Sequence, residues 1–191
     1  MQSAILEMAS LEEVLAQVSA ELGMDELFPD STTVDMEDKG LLELPLVICE
    51  LSACEELFLA DNSLSYLPEE LGNMSSLSDL NLARNQLQLL PESLGALQRL
   101  EGLVCTENSL VELPQSIGGC AALQGLNAQV NQLQGLPDSL CDCVALEGLF
   151  CDSNRLQSLP EAIGNLTALE EVRRRARLGL GLRLRLRLRL A

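Results

Sequence analysis

Cys141 and Cys143, two residues apart, are the first pair in this chain whose type and spacing could do chemistry. A C-x-C pair offers two thiolates to a soft metal ion, but a tetrahedral site needs four ligands and no second cluster accompanies it. Core packing is the better reading. Cys120 shares a column with Cys143 in adjacent repeats, so oxidation could bring that pair toward disulfide distance, although nothing in the sequence requires it. The chain has no His, which removes His-based general bases, triads and His-metal sites. Neither a Walker pattern nor a dinucleotide glycine fingerprint is present. Its 29 acidic residues read as a solvated surface rather than an acid/base pair. No catalytic, cofactor-binding or metal-ligating residue is assigned, no cofactor is expected, and the chain reads as no enzyme.

The elements that would carry any site are set by a repeat. Leu-Pro recurs at residues 44, 67, 90, 113, 136 and 159, always 23 residues apart. Asn62, Asn85, Asn108, Asn131 and Asn154 keep the same period, as do Leu57, Leu80, Leu103, Leu126 and Leu149. In each L-x-L the alternation has period two, so both Leu face inward from a short strand and the residues between them face solvent. An Asn amide buried in the turn after each strand can supply donors and an acceptor to backbone groups, forming a structural ladder. Pro fits the first position of a short helical turn, with Glu69, Glu92, Asp138 or Glu161 following it at the turn's N-terminus. Gly72, Gly95, Gly118 and Gly164 occupy one column on the returning side, where they would let neighbouring coils pass closely.

The pattern L-x-L-x-x-N-x-L-x-x-L-P, continued by L-P-x-x-[LI]-G-x-L-x-x-L, resembles the leucine-rich repeats, and among them the 23-residue Ras-group type of Ras-suppressor, Ras-scaffold and plant intracellular proteins. The resemblance covers roughly residues 31 to 172. It implies an α/β solenoid or horseshoe, with parallel concave strands, short helical turns on the convex side and an intracellular protein-binding role in signalling. Such a fold supports many unrelated partners, so it specifies architecture better than function.

The concave face is where partners would meet it. Reading the register puts Glu56, Phe58, Ala60 and Asp61, then Asp79, Asn81, Ala83 and Arg84, and in later repeats Glu107 and Phe150, on that face. The contact candidates are Phe58, Asp61, Asp79, Glu107 and Phe150. Phe58 and Phe150 are two of only three Phe in the chain, and an aromatic flanked by charge is a natural interface anchor. Scattered apolar residues on a sheet face are also ordinary.

Three regions follow: 1–30, an amphipathic helix and linker that would cap the solenoid; 31–172, the repeats; and 173–191, a low-complexity Arg/Leu tail. The helix is expected over residues 3 to 22, with Ser10 and Glu13 resembling a capping box and Gly23 as its stop. Eight of the twelve basic residues lie in the tail, leaving residues 1 to 172 with 4 − 29 = −25. That acidity disfavours nucleic acid and favours a protein partner with a basic surface. The tail could attach the chain to an anionic membrane, although a two-letter repeat is also what translation through simple-sequence DNA would give. No run of eighteen apolar residues and no basic, apolar leader occur, and seven Cys sit mostly in apolar columns, which points to a monomer with reduced thiols in the cytoplasm. A fragment of a larger leucine-rich repeat receptor or signalling protein is the competing reading.

Overall fold

The computed structural model describes residues 10–173 and 183–184. The chain opens with helix α1 (Leu11–Leu22) and then alternates strands with 3-10 turns. The strands are β1 (Thr33–Asp35), β2 (Glu56–Phe58), β3 (Asp79–Asn81), β4 (Gly102–Val104), β5 (Gly125–Asn127), β6 (Gly148–Phe150), β7 (Glu171–Arg173) and β8 (Arg183–Leu184). The 3-10 turns are η1 (Leu46–Glu50), η2 (Glu69–Asn73), η3 (Glu92–Ala96), η4 (Gln115–Gly119), η5 (Asp138–Asp142) and η6 (Glu161–Asn165). Strands β1 to β7 pair in parallel in sequence order, each shifted by one repeat, so Leu57, Leu80, Leu103, Leu126 and Leu149 lie side by side. Strand β8 joins β7 antiparallel. Apart from Arg173, Arg183 and Leu184, the Arg/Leu tail lies outside the described residues.

A continuous column of Leu forms the core because each coil contributes the same inward positions. Helix α1 contributes Leu15, which is fully buried, while Leu11, Val18 and Leu22 pack against the same cluster. The expected helix over 3 to 22 is not one continuous element. Ser10 is extended (φ −62°, ψ 156°), its hydroxyl accepts from the Glu13 N–H, and the Glu13 carboxylate accepts from the Ser10 N–H. This reciprocal capping ends the helix at Leu11. Ile5, Leu6 and Met8 lie outside the described residues. Gly23 closes the helix in the left-handed region at φ 59°.

The prolines also differ from expectation by one position. Pro68, Pro91, Pro114 and Pro137 are extended N-caps rather than first helical residues, and the carbonyl of each accepts from the residue three further on. Their fixed φ suits an extended cap as well as a helix start. The acids that follow lie in the first turn of each helix as expected, and two of them also bond across to the next coil. Glu69 accepts from the Ser93 N–H at 2.8 Å, and Glu92 accepts from Gln115 and Ser116 N–H at 3.1 and 2.9 Å, each in the next coil. Those bonds hold the Glu92 carboxyl below its ordinary range.

After each of strands β1 to β6 the chain passes through one left-handed residue: Asp38, Asp61, Arg84, Glu107, Val130 and Ser153, with φ between 52° and 57°. Asp tolerates this region, but a β-branched side chain does not. Val130 is also exposed, so its side chain gains little from burial there. Val130→Asn is expected to stabilise the protein by about 1 kcal/mol, seen as a higher urea midpoint with an unchanged slope.

Candidate functional site

The ladder positions come first, because they hold the sheet face in place. Asn85 Nδ2 donates to the carbonyls of Leu59 (2.9 Å), Leu82 (3.1 Å) and Ala83 (3.3 Å), and its Oδ1 accepts from the Leu64 N–H at 3.0 Å. Asn62, Asn108, Asn131 and Asn154 make the equivalent set, each reaching one carbonyl in the preceding coil. Each shared carbonyl serves two amides: Leu59 takes Asn62 and Asn85, and Leu82 takes Asn85 and Asn108. In the entry coil Lys39 stands where Asn recurs; its backbone N–H donates to Asn62 Oδ1, while its ammonium reaches the Gly23 carbonyl.

On this frame the outward residues differ from coil to coil. Phe58 on β2 and Phe150 on β6 are both half-buried and stand four strand spacings apart, about 19 Å at 4.8 Å per spacing. They do not form one patch. Asp79 on β3 is exposed; its Oδ2 accepts from the Ser78 hydroxyl. Asp61 and Glu107 sit in the left-handed turn beyond the strands. Asp61 makes a bidentate ion pair with Arg84 of the next coil, and the guanidinium holds its carboxyl below the usual range. Ala60 and Ala83 are buried rather than outward. The chain leaves strand geometry after Phe58 and Asn81, so Leu59 and Ala60 are buried in succession and the two-residue alternation ends there.

All seven cysteines are buried, and none is in a disulfide. Burial pushes the Cys105 thiol up to about 12, and burial with neighbouring charge pushes Cys143 to about 12, so both stay protonated and unreactive near neutrality. The Cys120 and Cys143 thiols donate to the carbonyls of Leu94 and Ile117. Cys141 and Cys143 belong to no metal-holding cluster among the described residues. No helix among those residues is long and apolar enough to cross a membrane. Sequence reading missed the exposed apolar residues Leu42, Tyr66, Leu89 and Val111, which fall in the loop columns between ladder Asn and Leu-Pro. Those columns mix apolar with polar residues, with Gln88, Gln134 and Gln157 in one and Glu43 and Glu112 in the other, and that mixture is the signal that could have marked them as surface.

Residues 76–97 match the Leucine Rich Repeat family model. Solved structures share the architecture. A leucine-rich repeat protein of Leptospira interrogans is 28% identical over 69% of this chain and 40% of its own length, with TM-score 0.52. The Arabidopsis receptor kinase HAESA, solved with the peptide hormone IDA and the co-receptor SERK1, is 30% identical over 74% of this chain and 25% of that one, with TM-score 0.66. The functional domain of InlJ from Listeria monocytogenes, which includes a cysteine ladder, is 20% identical over 83% of this chain and 34% of that one, with TM-score 0.67. The chain thus spans less than half the length of each. A search of curated proteins gave no match. Repeat, topology and these likenesses together define a leucine-rich repeat solenoid.

Proposed function

We propose that the chain is a non-catalytic protein-interaction module, an adaptor or scaffold that receives a protein partner on the outward face of its sheet, the face read as concave from the sequence. The observation that carries this reading is the contrast between inward and outward positions. Inward residues repeat coil after coil, whereas the outward series Phe58, Asn81, Val104, Asn127 and Phe150 changes at every step. An outward column whose identity changes at every step over an invariant frame suits recognition of one partner. The HAESA structure, solved with a peptide and a co-receptor, supports the same use of the fold here. The 23-residue unit favours the Ras-group subtype and a signalling role. Seven cysteines, none of them in a disulfide, favour a reducing compartment, and we place the protein in the cytoplasm as a monomer.

The test is affinity capture from cell lysate with the full chain, beside a variant carrying Phe58→Ala, Phe150→Ala and Asp61→Lys, both checked for folding by circular dichroism. A protein retained by the first and lost from the second is the expected result. Identical captures by two folded proteins would remove the outward face from consideration.

A further inference from the structure

The two ends of the solenoid close differently. At the first coil, helix α1 lies over the core and buries Leu15 in it. At the last coil, η6 is the one 3-10 turn among the described residues without a buried residue. Its Ile163 is only partly buried, whereas the equivalent Leu71, Leu94, Ile117 and Leu140 are fully buried. A repeat core left open in this way needs a cap. The sheet has the same need: β7 is the last strand that the repeat supplies, and an uncovered last strand presents a row of unpaired N–H and C=O groups.

What meets β7 is not another coil but β8, from the Arg/Leu segment, running antiparallel. Its register decides what it can do. Leu184 pairs with Val172, which pairs with Leu149, so Leu184 extends the row Val34, Leu57, Leu80, Leu103, Leu126 and Leu149, all of them buried. Side chains alternate along a strand with period two, and arginine alternates with leucine from Arg183 to Leu190. A strand carried on from Leu184 in that register keeps every leucine in the core row and every arginine in the outward one, and a slip of one residue would reverse them. Antiparallel pairing directs the chain from Leu184 back past Glu171 and Leu169 toward η6. Residues 185–191 follow Leu184, and seven extended residues reach about 23 Å. The same register would set Arg185 opposite Glu171, an attractive cross-strand pair, while Arg173 opposite Arg183 is an unfavourable one.

We propose that residues 183–190 are the C-terminal cap of the solenoid: they add an antiparallel strand to the β7 edge and lay Leu184, Leu186, Leu188 and Leu190 over the open core of the last coil, beside Ile163. The occupant of that end is a segment of the same chain, and this holds whatever the outward face binds. A membrane would use the same alternation differently, with the leucines in lipid and the arginines at the headgroups, and would leave β7 without its neighbour. Hydrogen–deuterium exchange of the full chain, read by mass spectrometry, separates the two uses, because amides that lose their pairing exchange through local opening.

A chain carrying Leu184→Ser, Leu186→Ser and Leu188→Ser should exchange at least about tenfold faster in β7 while β3 and β4 keep the parent rate. Arg183→Glu, which places a carboxylate opposite Arg173, should slow exchange in β7 by about threefold. The proposal is overturned if the folded triple variant exchanges in β7 as the parent does, or if Arg183→Glu fails to slow that exchange. Because Arg183→Glu keeps every leucine, its result decides the matter should the triple variant unfold. A parent chain that cosediments with phosphatidylserine vesicles, and whose β7 exchanges as fast as that of the triple variant, would make the segment a membrane element and also overturn the cap.

Discussion

Asn85→Asp should lower stability by about 3 kcal/mol near neutral pH, read from urea unfolding followed by far-ultraviolet circular dichroism. The substitution keeps the shape and leaves an acceptor for the Leu64 N–H, but it removes the Nδ2 donor to the Leu59, Leu82 and Ala83 carbonyls. A carboxylate there aims negative charge at three carbonyl oxygens in a buried site, and losing one partner of a buried polar group costs about 1–3 kcal/mol, more for a charged one. Against a typical net stability of about 5–15 kcal/mol the loss is large. The sign of its pH dependence follows. The buried carboxyl is easier to keep protonated in the folded state than in the unfolded one, so its folded pKa is raised. Its penalty is therefore smallest below the unfolded value of about 3.9 and grows as pH rises through the folded one. A variant that unfolds at the same urea concentration at pH 4 and pH 7 would contradict the ladder as described.

Gly95→Ala is expected to cost about 3 kcal/mol, a fall of roughly 6–12 °C in Tm. Helix propensity alone would predict the opposite sign, since Ala exceeds Gly by about 1 kcal/mol in a helix. Packing decides. A Cβ on Gly95 would lie 2.3 Å from the Ser116 carbonyl oxygen and 2.7 Å from Ser116 Cβ. The Gly95 carbonyl oxygen in turn sits 2.3 Å from where a Cβ on Gly119 would be. The closest of these atoms are carbonyl oxygens of the facing coil's backbone, so relief requires η3 and η4 to separate. Calorimetry showing Gly95→Ala at or above the parent Tm would mean that the coils slide apart at little cost.

These two positions show what the sequence could and could not disclose. Asn85 was legible because its column recurs every 23 residues and the amide is the residue type a buried turn needs. Gly95 was legible as a close approach for the same reason. Glu69 and Glu92 do lie in the first turns that local rules describe, but those rules treat one helix at a time and give no sign of their hydrogen-bond partners in the following coil. The left-handed turn gave no signal, since Asp, Arg, Glu, Val and Ser all occupy it and none is glycine. Phe58 and Phe150 were read as a pair because both are rare and outward; strand spacing separates them. Asp61 reads from the sequence as a contact candidate, and its pairing with Arg84 one coil on shows only in the structure.

The ladder also bears on how such a protein could be copied. Every amide reaches a carbonyl 26 residues behind it and an N–H 21 residues behind it, the same offsets in coil after coil. A gene segment encoding any 23 consecutive residues of the interior, duplicated in frame, would recreate each of those bonds without a new solution to the fold. Length is therefore heritable in whole coils. Selection could lengthen or shorten the outward face by recombination while each inserted coil arrived already satisfied, leaving point mutation to write only the outward residues.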